Sequence, residues 1–291
     1  MAGTRPRDEE DRNERRFVEL AGWRTVAVRG SGARGWLNDL VTADVEGLAD
    51  GRSRRSLLLT PTGRIRADLH VAAVNGSFLL LQGPGQPEAV DAILGPYVLS
   101  SDVELIDRSE RSVIVGVLGG LADEDTDGAL VLAPSVLGSG HDLIVTAGEP
   151  ASRLRRRLVA GGSVEMTSED LERWWIGKGI VRLGVDFGPD ALPAEAGLED
   201  AIDLTKGCFL GQESVAKVHN LGHPPRILLP VRSRTPIRPG DPVRADGETI
   251  GEVTSAAEQD GQTVAIVRVR WDAASRPLSA GLGHLSLRRK G

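Results

Sequence analysis

Cysteine is almost missing from this chain: Cys208 is the only one in 291 residues. A lone thiol forms no intrachain disulfide, which leaves it as a small buried apolar side chain or as a reactive group. Aromatic residues are scarce at 3%, so the core has to be built from Leu, Val, Ala and Ile. Lysine is confined to Lys178, Lys206, Lys217 and Lys290, and arginine carries the rest of the basic charge. No apolar run approaches the roughly 18–20 residues that cross a bilayer. The stretch from Met1 to Arg16 is charged throughout and lacks the apolar segment of a secretory leader. One thiol without a leader predicts a soluble, cytoplasmic protein with no membrane association. A net charge of −6 argues against a surface that coats nucleic acid, so no strong nucleic-acid binding is expected.

What is present divides the chain into four parts. Residues 1–16 read as a charged, solvated tail. Residues 17–108 read as an α+β unit. A strand-like stretch from Phe17 to Arg29 precedes a helix carrying Trp36, Leu37 and Leu40, with Ser31 placed to cap it. Strands follow at Ser56–Thr60, Ile65–Val74 and Phe78–Leu81, the last two joined by Asn75-Gly76, a strong hairpin signal. Helical spacing runs over 87–99, then a strand over 103–106. Residues 109–225 read as a second α+β unit, with an acidic surface loop at 122–128 and a helix over 150–160 whose arginines form a solvated face. Another helix opens at Ser168-Glu169-Asp170 and leads into Trp174 and Trp175. From 226 to 291 short strands and frequent turns predict a small β-barrel. The fold class is therefore α+β: two mixed units, then a barrel.

The thiol lies in Lys206-Gly207-Cys208-Phe209-Leu210-Gly211-Gln212-Glu213. The two glycines permit positive backbone dihedrals or a close approach by another chain or a ligand. A helix can start at Gln212, with Glu213 near its positive end. A thiol just ahead of a helix start and beside Lys206 is a candidate thiolate; the alternative is an inert cysteine packed on Phe209. A cysteine hydrolase needs a histidine oriented by a third group. His219 and His223 lie downstream, but in no pattern that specifies one. As a metal set with Cys208 they are interrupted by Gly222 and Pro224-Pro225, so no metal is expected.

The eight-residue segment resembles the K-G-C-[YF]-x-G-Q-E signature of the YgfZ-type folate-binding proteins. These are relatives of the glycine-cleavage T-protein (aminomethyltransferase) and are associated with iron–sulfur cluster maintenance. Gly184-Val185-Asp186-Phe187, Leu192-Pro193-Ala194-Glu195-Ala196-Gly197-Leu198 and Gly222-His223-Pro224-Pro225-Arg226 fall where that family has similar segments, and close similarity runs from about Ile180 to Leu228. The resemblance implies that the first two units form a ring around a site for tetrahydrofolate or a derivative. It implies that Cys208, with Lys206, supports iron–sulfur enzymes or their assembly factors, and dependent tRNA modification.

Glu195 matches a T-protein position that resembles a pterin-contacting carboxylate. Arg226 suits an anionic group, since a guanidinium holds carboxylates in a planar fork, and Gln212 is placed with them as cofactor-binding. Gly63-Arg64-Ile65-Arg66-Ala67-Asp68-Leu69 aligns in kind with a T-protein stretch that ends in two aspartates, where an aspartate near folate N5 assists one-carbon transfer; Asp68 is kept and Ala67 replaces the other. An Arg-Ile-Glu-Ala-Gly run in relatives is Trp175-Ile176-Gly177-Lys178-Gly179 here. A tetrahydrofolate-dependent aminomethyltransferase or demethylase using Asp68 is the alternative function.

Overall fold

The computed structural model describes residues 15–99, 101–126 and 128–288. The expected charged tail lies almost wholly outside them. The first sheet is antiparallel, in the spatial order Ser53–Leu59, Ile65–Val74, Ser77–Gln82, Arg24–Arg29, Glu104–Asp107. Asn75 and Gly76 both take positive φ, 48° and 76°, as the tight turn between twisted strands requires. Strand Ile65–Val74 is buried on both faces rather than alternating, because the sheet is covered twice. Val26, Val28, Leu69, Val71 and Leu80 meet Leu37 and Leu40 of the helix Ala33–Leu40 on one side. Ala27, Ala72, Leu79 and Leu81 meet Ile114, Leu118, Leu132 and Ile144 of the second sheet on the other.

That second sheet runs Val164–Glu165, Arg16–Glu19, Ser112–Leu118, His141–Thr146, Leu130–Leu132. The helix Glu149–Ala160 backs it through Leu154 and Leu158. The stretch from Phe17 to Arg29 is two strands, broken at Gly22 with φ 75°. Only the second strand joins the first sheet; Arg16–Glu19 pairs Phe17 with Val117 in the second. Ser31 does not cap its helix, because its hydroxyl donates to Asp102 at 2.5 Å and Gly32 occupies the cap position. The helix expected over 87–99 shrinks to Val90–Leu94 and a 3-10 turn Gly95–Tyr97, since Pro96 has no N–H to donate to the helical ladder. The acidic loop contains a short helix, Asp123–Thr126.

Residues 226–288 form the expected barrel. Six strands close in the order Arg226–Ser233, Gln262–Arg270, Glu248–Gln259, Pro242–Ala245, Leu278–Ala280, Gly283–Leu287 and back to the first, which leaves no open edge. The barrel is fastened to the second unit by buried Asp186, whose Oδ1 accepts from Thr254 Oγ1 at 2.9 Å and Ser255 Oγ at 2.7 Å. Arg288 adds a second tie, donating to the carbonyls of Ile176 and Gly177 where the helix Ser168–Lys178 ends. Between helix and barrel, residues 179–211 have little regular structure. Their Val181, Leu183, Phe187, Leu198 and Phe209 join Leu57, Ile65, Leu228 and Ile266 in one cluster that links all three bodies.

Candidate functional site

Strand Ile65–Val74 puts Asp68 and His70 on one face, two residues apart. They line a cavity of about 130 Å³ at the seam of the two units. Its near wall is Trp23, Arg55 and the loop of Gly83, Pro84 and Gln86; the far wall is Val136, Trp175 and the run from Ile180 to Leu183 with Val185. Arg55 sits opposite His70 in the strand register and reaches diagonally to Asp68. Its Nε donates to Oδ1 at 2.9 Å and its Nη2 to Oδ2 at 2.5 Å. The same Nη2 donates to the Val181 carbonyl of the second unit at 2.8 Å. Burial works against the Arg55 charge, but the attraction of Asp68 outweighs it and the guanidinium pKa ends above its ordinary value.

The Asp68 backbone is held just as firmly. Its N–H donates to Gln86 Oε1 at 3.0 Å, and Gln86 Nε2 donates to its carbonyl at 2.6 Å. His70 is half-buried beside this pair. Burial first, and then the charge of Arg55, push its pKa down to about 4, so the imidazole is neutral at physiological pH. Its Nδ1 is sealed from solvent with no hydrogen-bond partner among the described residues. On the far wall Arg182 lies over the Trp175 ring, 4.9 Å from its centroid, and both oxygens of Glu172 hold its guanidinium at 2.5 and 2.6 Å. The seam is closed at Gly184, where φ is 89° and an added Cβ would stand 2.3 Å from the Gly85 carbonyl oxygen.

The cysteine motif docks onto the first unit by its ends and leaves the thiol outside. Lys206 Nζ donates to the carbonyls of Asn38, Val41 and Ala43, the last two at 2.6 and 2.9 Å, where the helix Ala33–Leu40 ends. Burial pushes the Lys206 pKa down to about 8, partly offset by Asp44 and Asp39. Gly211, with φ 84°, comes so close to the turn at Thr60 that an added Cβ would lie 2.5 Å from its carbonyl oxygen. The helix Gln212–Leu221 starts directly after it. Cys208 between these anchors is exposed.

A larger cavity of about 770 Å³ lies beyond the motif, between Arg54, Ile202, Val215 and the stacked rings of His223 and Trp271, whose centroids are 3.8 Å apart.

Of the residues expected to form the site, Asp68 alone lines either cavity. One oxygen of the Glu195 carboxylate turns back on its own helix, accepting from the Leu192 N–H at 2.9 Å, and the residue lines neither cavity. Lys206 is an anchor rather than a neighbour that tunes the thiol, because three carbonyls occupy its ammonium. Arg226 is exposed at the start of the barrel, and Gln212 opens its helix outside both cavities. The side chain of His219 is outside the described residues, and among those described no cluster could hold a metal ion. Arg55, His70, Gln86, Trp23 and Arg182 were not anticipated. The i, i+2 spacing of Asp68 and His70 was the available signal for one of them; Arg55 and Arg182 look like any solvated arginine until the strands are paired.

Comparison with known proteins agrees with this architecture. The model of the GCVT N-terminal domain matches residues 10–125, and that of the CAF17 C-terminal beta-barrel domain matches residues 226–290. The chain is 23% identical to a chloroplastic protein of Arabidopsis thaliana provisionally named a transferase, over 82% of this chain and 61% of that one. It therefore spans about three fifths of that relative's length. It is 26% identical to an aminomethyltransferase of Streptomyces avermitilis, over 94% of this chain and 82% of the relative. The crystal structure of the glycine cleavage system aminomethyltransferase T from Bartonella henselae superimposes with a TM-score of 0.82, at 21% identity, covering 96% of this chain and 86% of that one. At that identity the likeness is one of fold. The fold is GCVT-like, completed by a six-stranded barrel of the CAF17 kind. No helix among the described residues is long and apolar enough to cross a membrane.

Proposed function

We propose that this protein binds tetrahydrofolate or a derivative at the seam cavity and uses the exposed Cys208 to support iron–sulfur enzymes or their assembly factors, and through them tRNA modification. One observation carries the ligand half: the cavity joins both units of a GCVT-like fold, with Trp23 and Trp175 among its walls and polar groups converging on it. Those residues suit a flat, polar heterocycle. At about 130 Å³ the cavity is below the roughly 300–1,000 Å³ of complete ligand pockets, so it takes a ring system and leaves a longer tail outside. A bound reduced folate would supply a one-carbon carrier.

The thiol half rests on the motif resemblance together with the placement of Cys208 outside the core. Aminomethyl transfer, the activity named for the Streptomyces and Bartonella relatives, is the weaker reading. Both oxygens of Asp68 are already engaged by Arg55, which leaves it poorly placed to act as a free base.

Calorimetry with 5-formyltetrahydrofolate is expected to show saturable binding by the wild type and by Cys208→Ala alike. Cys208→Ala is expected to fail in restoring iron–sulfur enzyme activity to a deletion strain. Absence of binding would remove the ligand half, and full restoration would remove the thiol half.

A further inference from the structure

Within the seam cavity one titratable side chain makes no hydrogen bond among the described residues. Arg55 and Asp68 satisfy each other, Gln86 spends both ends of its amide on the Asp68 backbone, and Arg182 is held by Glu172. His70 lines the same space and makes no hydrogen bond there.

We propose, resting on the folate reading above, that His70 is a ligand-binding residue whose Nε2–H donates a hydrogen bond to an acceptor on the bound heterocycle, a ring carbonyl or an unprotonated ring nitrogen. The tautomer follows from the surroundings. Nδ1 is sealed without a partner, and a buried N–H left unpaired is rarer in folded proteins than an under-used acceptor. The proton therefore sits on Nε2, the ring nitrogen left to meet a ligand. The charged groups facing the ring are Arg55 and Asp68 on its own sheet and Arg182 on the opposite wall. Burial and the Arg55 charge keep the ring neutral. A neutral imidazole can donate from Nε2 without bringing a second cation beside Arg55. The acceptor class follows too: a ligand that offers only N–H groups at this position would set donor against donor. A fixed donor also discriminates, because an analogue lacking the acceptor leaves the N–H unpaired in the complex.

The test uses the full chain and 5-formyltetrahydrofolate, with wild type, His70→Gln and His70→Leu compared by calorimetry at pH 7.5. Glutamine offers an N–H near the position of Nε2; leucine fills the space without one. His70→Leu is expected to bind at least tenfold more weakly, and His70→Gln within about threefold of wild type. Equal binding by all three overturns the role of His70 and leaves the folate reading standing. Loss by His70→Gln as large as by His70→Leu also overturns it. No binding by the wild type overturns both. If the leucine variant does not fold, nitrogen NMR of the wild-type imidazole at pH 6 decides with the glutamine variant: a neutral Nε2–H tautomer is expected, and an Nδ1–H tautomer or an imidazolium overturns the proposal.

Discussion

Arg55 and Asp68 lie on neighbouring strands, yet they are not register partners; the guanidinium crosses diagonally to embrace the carboxylate with two parallel bonds. A pair this enclosed is costly to break from one side, because the survivor keeps an uncompensated charge in a desolvated wall. Asp68→Ala should lower the unfolding free energy by about 3–5 kcal/mol in urea titrations. The double variant Arg55→Leu/Asp68→Leu should recover a large part of that loss. Additive single losses would contradict the pairing.

Lys206 supplies a second expectation. Its ammonium gathers three carbonyls at the end of the helix Ala33–Leu40, and methionine at this position keeps the stem while abandoning them. Hydrogen bonds to charged groups contribute about 1.5–3 kcal/mol each, net of the exchange with water. Lys206→Met should lower the thermal midpoint and speed amide exchange across residues 38–43 and 203–211. Unchanged exchange there would show that the motif is held by its glycines alone.

Gly184 and Gly211 are both in the left-handed region, and both stand against backbone oxygens rather than yielding side chains. Alanine at either position adds an unfavourable φ to a contact that cannot slide away, at about 1–3 kcal/mol for the dihedral alone. By differential scanning calorimetry both variants should be destabilised, whereas Gly76→Ala, where nothing lies within 4 Å, should bear only the dihedral cost.

Acid stability contains two opposing contributions. The folded pKa of His70 is about 4 against an ordinary 6.5, so the unfolded chain takes up the proton first. The associated stability is complete above about pH 6.5 and is lost as pH falls toward 4, by about 3 kcal/mol at most. Buried Asp142 acts in the other sense. Burial raises its pKa to about 6 against the Ser135 and Val136 hydrogen bonds, so its contribution declines as pH rises from about 4 to about 6. In urea titrations the gain in stability on raising the pH from 4.5 to 7 should be smaller in His70→Gln than in wild type, and larger in Asp142→Asn. The opposite ordering would refute both assignments.

The layout was legible because local rules governed it. Asn75-Gly76 announced its hairpin, and the spaced turns after Pro236 announced the barrel. The helix after Gly211 was legible as well. The site was less so. Glu195 and Lys206 are polar residues beside family-like segments, and nothing local reveals that one caps its own helix and the other caps a helix more than 160 positions earlier. Arg55 acquires its meaning from strand pairing, Arg182 from a tryptophan and a glutamate on a helix, and His70 from what fails to approach it. Long-range geometry of that kind has no signature in a single chain. The displaced first strand was misread for the same reason: a turn at Gly22 is visible, but the choice of sheet is not.

That displaced strand has a consequence for how the molecule is made. The chain lays down Arg16–Glu19, then completes an entire neighbouring sheet before Ser112–Leu118 arrives to pair with it. The second half is not a continuous stretch of polypeptide, so cutting the chain between Asp107 and Ser112 strands its ribbon Arg16–Glu19 on the first fragment. During synthesis, Phe17 and Val18 must wait without their partners while roughly a hundred residues emerge, about 5–20 s at typical ribosomal rates. The two halves are thereby committed to assemble together, and the seam between them, where the ligand is proposed to sit, forms as part of that joint event.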